Sequence, residues 1–205
     1  MKRCLILTAH LERPEDLKID PTEFESVIAA DGGLVQADKL GITPTQIIGD
    51  FDSTERPEAE HLIVLPREKD MTDSEAAVDL AVSRGYRNIV VLGGLGGRFD
   101  HTMGNVGLLA KTLHSVDWLE FQDGQNRMFM RGPGKFTVDR GRFHYLGLIA
   151  YGGSVEGLTV QNVKYPLNDF TLQDDTTLGV SNEIQGDHAD ISLRSGRLLV
   201  IQSND

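Results

Sequence analysis

Cysteine is nearly absent from this sequence of 205 residues, in which Cys4 is the only one. One cysteine excludes an internal disulfide and any metal site built from several cysteines, and it fits a reducing compartment such as the cytoplasm. Long apolar runs are missing too. None approaches the roughly 18 residues of a membrane-spanning helix, so we expect a cytoplasmic protein with no membrane partner.

Positive charge is scarce as well. The chain has 20 lysines and arginines against 31 aspartates and glutamates, which gives a formal net charge of −11 at pH 7. Binding to a nucleic-acid backbone requires a positive surface, so we expect no nucleic-acid partner.

Short apolar runs alternate with helix-like segments over residues 1–122. Runs such as Ile-Val-Val-Leu are apolar throughout, which is typical of strands covered on both faces of a parallel sheet. We therefore predict an N-terminal α/β domain with a Rossmann-like parallel sheet. Strands are predicted at Arg3–Thr8, Ser26–Ala30, Gln46–Ile48, Leu62–Leu65, Asn88–Leu92 and Trp118–Phe121. Helices are predicted at Leu34–Leu40, Pro57–His61, Ser74–Arg84 and Thr102–Leu113.

Residues 123–205 have a different composition, because glycines cluster there and short β-rich segments replace helices. The pattern predicts a C-terminal antiparallel β-sandwich. Within it, the segment from Ala189 to Gln202 predicts two strands of alternating polarity joined by a hairpin-like turn at Ser195-Gly196. Further strands are predicted at Phe143–Tyr151 and Leu158–Val163.

Acidic residues follow four of the predicted strands. In an open parallel sheet, ligands bind beyond the carboxyl ends of the strands, so we expect these side chains to meet at one edge. The set comprises Asp31, Asp50, Asp52, Asp70, Asp73 and Asp100. Crowded carboxylates repel one another, and Mg²⁺, which prefers oxygen ligands and substrate phosphates, would relieve that repulsion. The pattern predicts a polyphosphate site bridged by Mg²⁺.

A glycine-rich loop at Gly93–Gly97 follows the fifth predicted strand and precedes a helix. Glycine allows close approach of the backbone to a ligand, and a helix N-terminus attracts anions. Arg98 and Lys69 supply positive charge for phosphate. Each feature also has a purely local explanation: Thr72 and Asp73 fit the start of a helix, and Asp100 and His101 fit the first turn of the next one.

Four segments match a known family in order and spacing. The segments AADGG, IIGDFDS, KDMTDSEAA and GGLGGRFDHTMGN, followed by VKYPL and GVSNEI, resemble the thiamine pyrophosphokinase (thiamine diphosphokinase) family of bacterial type. The resemblance extends from about residue 26 to residue 201. It implies Mg²⁺-dependent transfer of a diphosphate group from ATP to the hydroxyl of thiamine, with AMP released, in a homodimer whose sites lie near the subunit interface.

The resemblance also implies a role for each matching residue. Asp50, Asp52 and Asp73 would bind the metal, and Asp70, Asp73 and Asp100 would be catalytic. Ser181 and Asn182 would contact thiamine. The nucleotide would be bound by Asp31, Gly32, Lys69, Gly94, Gly96, Gly97, Arg98 and His101. Asp73 and Asp100 are both candidates for the base that takes the hydroxyl proton.

Two other kinds of protein fit the same residues. One is another Mg²⁺-dependent nucleotide phosphotransferase or hydrolase with a different acceptor. The other is a non-catalytic sensor of a nucleotide or of thiamine, in which the carboxylates bind metal without turnover. The identity of the product, AMP, ADP or none, separates the three.

Overall fold

A computed structural model describes residues 2–50, 61–66 and 70–205. The chain divides into two compact units, residues 1–124 and residues 125–205. Within the described part of the chain, no helix combines the length and the apolar character that a membrane crossing requires.

The first unit contains a parallel sheet of six strands, as the apolar runs predict. Its elements in chain order are β1 (Arg3–Leu7), β2 (Ser26–Ala30), α1 (Gly33–Lys39), β3 (Gln46–Gly49), β4 (Leu62–Val64), α2 (Asp73–Ser83), β5 (Asn88–Leu92), α3 (Phe99–Thr112) and β6 (Trp118–Gln122). The strand order is β4-β3-β2-β1-β5-β6, and every neighbouring pair in it is parallel.

The central strands of this sheet are buried on both faces. In β1, the consecutive residues Leu5, Ile6 and Leu7 are all fully buried, although successive side chains of a strand point to opposite faces. Burial of each such side chain contributes about 1.5–3 kcal/mol. Short 3₁₀ turns at Pro14–Asp16 and Pro21–Glu23 occupy the connection from β1 to β2.

Three predicted helices begin earlier than the sequence pattern indicates, and the first of them, α1, begins at Gly33 rather than Leu34. α2 begins at Asp73 rather than Ser74, and α3 begins at Phe99 rather than Thr102. Asp100 and His101 therefore lie inside the first turn of α3. Most of the predicted helix Pro57–His61 lies outside the described residues.

The second unit is made of antiparallel strands. They are β7 (Asn126–Arg131), β8 (Gly134–Asp139), β9 (Tyr145–Ala150), β10 (Val155–Gln161), β11 (Leu167–Leu172), β12 (His188–Leu193) and β13 (Leu198–Ser203). Three of them pair in the order β7-β13-β9, and the other four form a separate sheet in the order β11-β10-β12-β8.

The predicted hairpin around Ser195-Gly196 is wrong. Both strands and the turn are present, but β12 pairs with β10 and β8, whereas β13 pairs with β7 and β9. The turn thus carries the chain from one set of strands to the other. A tight turn between two alternating segments is compatible with either pairing, because the partners of each strand are remote in sequence.

Candidate functional site

The parallel sheet has one point at which its strand order reverses. From β1 the chain proceeds through β2, β3 and β4 on one side, and β5 and β6 lie on the other side. Loops that leave neighbouring strands in opposite directions open a crevice at the carboxyl ends of the strands. A cavity of about 440 Å³ lies at this position, and residues from the ends of β1, β2 and β5 line it.

Six of the predicted site residues line this cavity: Asp31, Asp73, Gly94, Gly96, Arg98 and His101. Gly32, Gly97, Asp50, Asp70 and Asp100 are not among its lining residues. Asp52 and Lys69 lie outside the described residues, so their roles stay predictions.

The expected cluster of six aspartates is not formed by the described residues. Within residues 2–50, 61–66 and 70–205, no three acidic, histidine or cysteine side chains are close enough to hold a metal ion together. Asp31 and Asp73 share the cavity, whereas Asp70 is exposed and Asp100 forms an ion pair with Arg98. Strand ends at a common edge bring loops together, but the direction of each side chain depends on its own loop.

Asp73 owes its position to the start of α2. Thr72 is the N-cap, and its Oγ1 accepts a hydrogen bond from the Glu75 backbone N–H at 3.2 Å. Asp73 follows as the first helical residue, where a carboxylate is stabilised by the positive end of the helix dipole. The Glu75 carboxylate pairs with Lys111 of α3 at 3.0 Å. Capping and cavity lining are therefore both properties of the Thr72-Asp73 segment.

The glycine loop after β5 has a backbone that only glycine adopts readily. Gly93, Gly94, Gly96 and Gly97 all have positive φ, from 60° to 90°. Side chains of α3 hold the loop: Asn105 Nδ2 donates to the Gly94 carbonyl at 2.7 Å, and Thr102 Oγ1 donates to the Gly96 carbonyl at 3.3 Å. A ligand in the cavity therefore meets backbone rather than side chains along this loop.

Asp50 lies in the loop next to the one that carries Asp31. The Asp31 backbone N–H donates to the Ile48 carbonyl at 2.7 Å, and a Cβ atom on Gly49 would lie 3.0 Å from the Asp31 Cα. Glycine at position 49 thus lets the two loops touch. The cavity itself is lined by the carboxylates of Asp31 and Asp73 and by the hydroxyl groups of Thr72 and Ser74, and oxygen donors of this kind are the ligands that Mg²⁺ prefers.

Sequence reasoning missed the loop after β1. Thr8, Ala9 and His10 line the cavity, and Thr8 Oγ1 donates to the Leu92 carbonyl of β5 at 3.1 Å. Asn105 of α3 was missed as well. The sequence does place Thr8–His10 directly after a predicted strand, as it does the acidic segments, and this position could have indicated a role at the site. Without the strand order, however, the first strand could not be assigned to the centre of the sheet.

In the second unit, Asn182 is buried and its side-chain amide makes three hydrogen bonds to the backbone. Its Oδ1 accepts hydrogen bonds from the backbone N–H groups of Tyr165 and Glu183 at 3.0 and 2.9 Å. Its Nδ2 donates to the Tyr165 carbonyl at 2.9 Å. Asn182 therefore fixes the Lys164-Tyr165 segment, where Lys164 pairs with Glu183 at 2.7 Å.

Ser181 has a different environment from its neighbour. It is exposed, with a left-handed φ of 61°, and it lines a depression of about 520 Å³ together with Tyr145, Val180 and Glu183. Of the two residues predicted to contact thiamine, Ser181 is the one whose side chain is accessible to a ligand.

Comparisons with known proteins agree with both units. A family model described as thiamin pyrophosphokinase, catalytic domain, matches residues 22–117. A second, described as thiamin pyrophosphokinase, vitamin B1 binding domain, matches residues 135–198. Thiamine pyrophosphokinase of Bacillus subtilis (strain 168) is 33% identical over 186 residues, which are 87% of each chain.

Solved structures give the same result. The crystal structure of thiamine pyrophosphokinase from Bacillus subtilis has a TM-score of 0.86 and 32% identity, with 100% of both chains covered. Thiamin pyrophosphokinase from Candida albicans has a TM-score of 0.79 over 99% of this chain and 89% of that chain. Its identity of 16% establishes a shared fold alone.

Proposed function

The chain belongs to the thiamine pyrophosphokinase family, and we propose that the cavity between β1 and β5 is where it transfers a diphosphate group from ATP to the hydroxyl of thiamine. The products are thiamine diphosphate and AMP. The observation that carries the proposal is the position of the cavity, at the switch point of a parallel sheet and lined by residues of the segments that match the family.

The nucleotide phosphates are assigned to the glycine loop and its neighbours. Gly94 and Gly96 offer backbone without side chains, Arg98 offers a guanidinium suited to phosphate, and His101 lines the same cavity. We propose nucleotide binding also for Gly97, Gly32 and Asp31. For Lys69 the same role rests on the family resemblance alone.

Mg²⁺ is proposed as the metal, held by Asp73 and Asp50 with Asp52 added on the family resemblance. The oxygen donors of this region fit such an ion, which keeps most of its other ligands as water and phosphate. When bound, Mg²⁺ would neutralise charge on the phosphates of ATP. The protein's own part is to hold the two substrates in line, which is the main requirement of such a transfer.

Asp73 is proposed as the acceptor of the thiamine hydroxyl proton. It lines the cavity, whereas Asp100 is engaged by Arg98 through two hydrogen bonds. The hydrogen bond from Arg98 also lowers the pKa of the Asp100 carboxyl, which makes it a weaker base than an unpaired aspartate. Asp100 is assigned to holding Arg98, and Asp70 is retained as a catalytic residue on the family resemblance.

The remaining parts of the proposal concern the second unit and the assembly. We assign thiamine binding to residues 123–205, with Ser181 in contact and Asn182 supporting it, and we propose a homodimer and a cytoplasmic location.

The strand order has three strands beyond β1 on one side and two on the other, a variation on the 3-2-1-4-5-6 order of dinucleotide-binding sheets. We therefore propose a Rossmann-like relationship for the first unit, and a sandwich for the second.

The deciding experiment is incubation of the protein with ATP, Mg²⁺ and thiamine, followed by separation of the nucleotide and thiamine products. Equal amounts of AMP and thiamine diphosphate are expected, and a chelator should abolish both. ADP with thiamine monophosphate would make the protein an ordinary kinase. Nucleotide hydrolysis without a thiamine product would indicate a hydrolase, and ATP binding with no product would indicate a sensor.

A further inference from the structure

His10 lies outside every segment that carries the family resemblance, yet it lines the cavity and packs against the glycine loop. A Cβ atom on Gly97 would lie 3.2 Å from each of three His10 ring atoms, Cγ, Cδ2 and Cε1. Equal distances to atoms around the ring place Gly97 over the face of the imidazole. A Cβ on Gly96 would lie 3.3 Å from Nε2 of the same ring.

The backbone of His10 contacts the other end of the loop. The Gly94 N–H donates to the His10 carbonyl at 3.0 Å, and a Cβ on Gly93 would lie only 2.1 Å from that carbonyl oxygen. His10 therefore meets the loop at both ends, through its carbonyl at Gly93-Gly94 and through its ring at Gly96-Gly97.

Glu12 fixes the orientation of the ring. His10 Nε2 and Glu12 Oε1 are 3.2 Å apart, and both side chains are about half exposed, at 45% and 48%. The ring is thus held between Glu12 and the glycine loop while part of its surface remains open to the cavity.

We propose that His10 is a positioning residue for the nucleotide. Its contacts hold the glycine loop in the left-handed conformation in which the loop binds the phosphates, and this proposal rests on the proposed function. Four glycines with positive φ in a five-residue loop have more conformational freedom than any other residues would. Ordering them costs conformational entropy, and the ring and carbonyl of His10 oppose that cost by contact. Without the His10 ring, the glycine loop should be less ordered before ATP binds.

The test compares His10→Ala and His10→Phe with His114→Ala, which removes an exposed histidine beyond the end of α3. Dissociation constants for ATP with Mg²⁺ are measured by calorimetry, and KM and kcat by product formation. His10→Ala should weaken ATP binding and raise KM for ATP by about three- to tenfold, which corresponds to the loss of about 0.6–1.4 kcal/mol of packing contact. KM for thiamine and kcat should change little, and His10→Phe, which keeps a flat ring, should recover part of the ATP affinity.

Three outcomes would overturn the proposal. An unchanged affinity of His10→Ala for ATP would refute the proposal. Equal losses for ATP and thiamine, together with a lower melting temperature, would indicate a merely structural residue. A His10→Phe variant as weak as His10→Ala would show that ring coverage of Gly97 is not the cause. Because ATP binding is measured without turnover, failure of this proposal is distinguishable from failure of the wild-type protein to form AMP.

Gly97→Ala provides an independent check through a double-mutant cycle. In the wild-type background the added methyl group meets the His10 ring and also strains a residue with φ of 60°. In the His10→Ala background the contact with the ring is absent and only the strain remains. The combined loss of ATP affinity should therefore be smaller than the product of the single losses, and strict multiplication would contradict the coupling.

Discussion

The guanidinium of Arg98 binds the carboxylate of Asp100 at two points at the start of α3. Nη2 donates to Oδ2 at 2.6 Å, and Nε donates to Oδ1 at 3.2 Å. The hydrogen bond from Arg98 holds the pKa of the Asp100 carboxyl below its usual 3.8, and Asp100 in turn raises the pKa of Arg98. The pair orients the Arg98 guanidinium beside the glycine loop, at a position where phosphate groups are expected.

Arg98→Ala should therefore weaken ATP binding. Charge-assisted hydrogen bonds contribute roughly 1.5–3 kcal/mol each, so KM for ATP should rise by about tenfold or more, since 1.4 kcal/mol is about one factor of ten. Asp100→Asn should have a smaller effect, because the amide oxygen still accepts one hydrogen bond from the guanidinium. Steady-state kinetics with varied ATP measure both. Lys39→Ala, which removes an exposed positive charge of α1, serves as the control. An equal rise in KM for ATP in that variant would show that the net charge of the protein, and not Arg98 itself, determines ATP binding.

Asp73→Asn should reduce turnover more than binding. If Asp73 accepts the hydroxyl proton, loss of the carboxylate should lower kcat by about 100- to 10,000-fold, the usual contribution of a general base. Asp79→Asn is the matched control, because Asp79 belongs to the same helix but pairs with Lys111 at 2.9 Å. Single-turnover formation of AMP measures the chemical step directly. Wild-type kcat in Asp73→Asn would assign the proton to another group.

Substitution of Asn182 should lower the stability of the fold, whereas substitution of Ser181 should weaken thiamine binding. Asn182→Ala removes three hydrogen bonds between the buried amide and the backbone of Tyr165 and Glu183. The free energy of unfolding should fall by roughly 2–4 kcal/mol, because buried partners are left unsatisfied. Ser181→Ala should change it by less than about 0.5 kcal/mol while KM for thiamine rises. Urea titration and kinetics give the two quantities, and the opposite pattern would reverse the roles.

Cys4 should be unreactive in the folded protein. It is fully buried in β1, and burial raises the pKa of its thiol to about 12 from 9.0. A thiol reagent at pH 8 should therefore modify Cys4 only after denaturation, and rapid reaction of the native protein would contradict the burial.

The same pKa shift predicts a loss of stability at high pH. Between about pH 9 and pH 12 the unfolded chain ionises its thiol and the folded one does not, so folding stability falls as pH rises. The slope from this group approaches about 1.4 kcal/mol per pH unit. Denaturant unfolding of wild type and Cys4→Ala over this range isolates the contribution, since other titrating groups are common to both. Parallel pH curves for the two proteins would show that Cys4 makes no such contribution.

Features decided by a few neighbouring residues could be predicted from the sequence. Apolar runs such as Asn88–Leu92 predict parallel strands, because a strand covered on both faces has no polar side to expose. Thr72 predicts the start of α2, because its hydroxyl caps an N–H only three residues away. The glycines of the loop after β5 predict a backbone that can come close to a ligand. The family resemblance extends these features to a function, and the comparisons confirm the family.

Features decided by contacts between remote residues required the tertiary structure. The sequence indicates six strands but not that β1 lies beside β5, and this pairing creates the cavity and brings His10 to Gly97. Nor does it distinguish a hairpin from a change of sheet at Ser195-Gly196. The physical reason is the same in each case: the edge of a strand can bond to any other strand, and the partner is selected by the packing of the whole unit. Residue types near a strand end thus determined which chemistry is present, and the order of the strands decided which of those residues share one cavity.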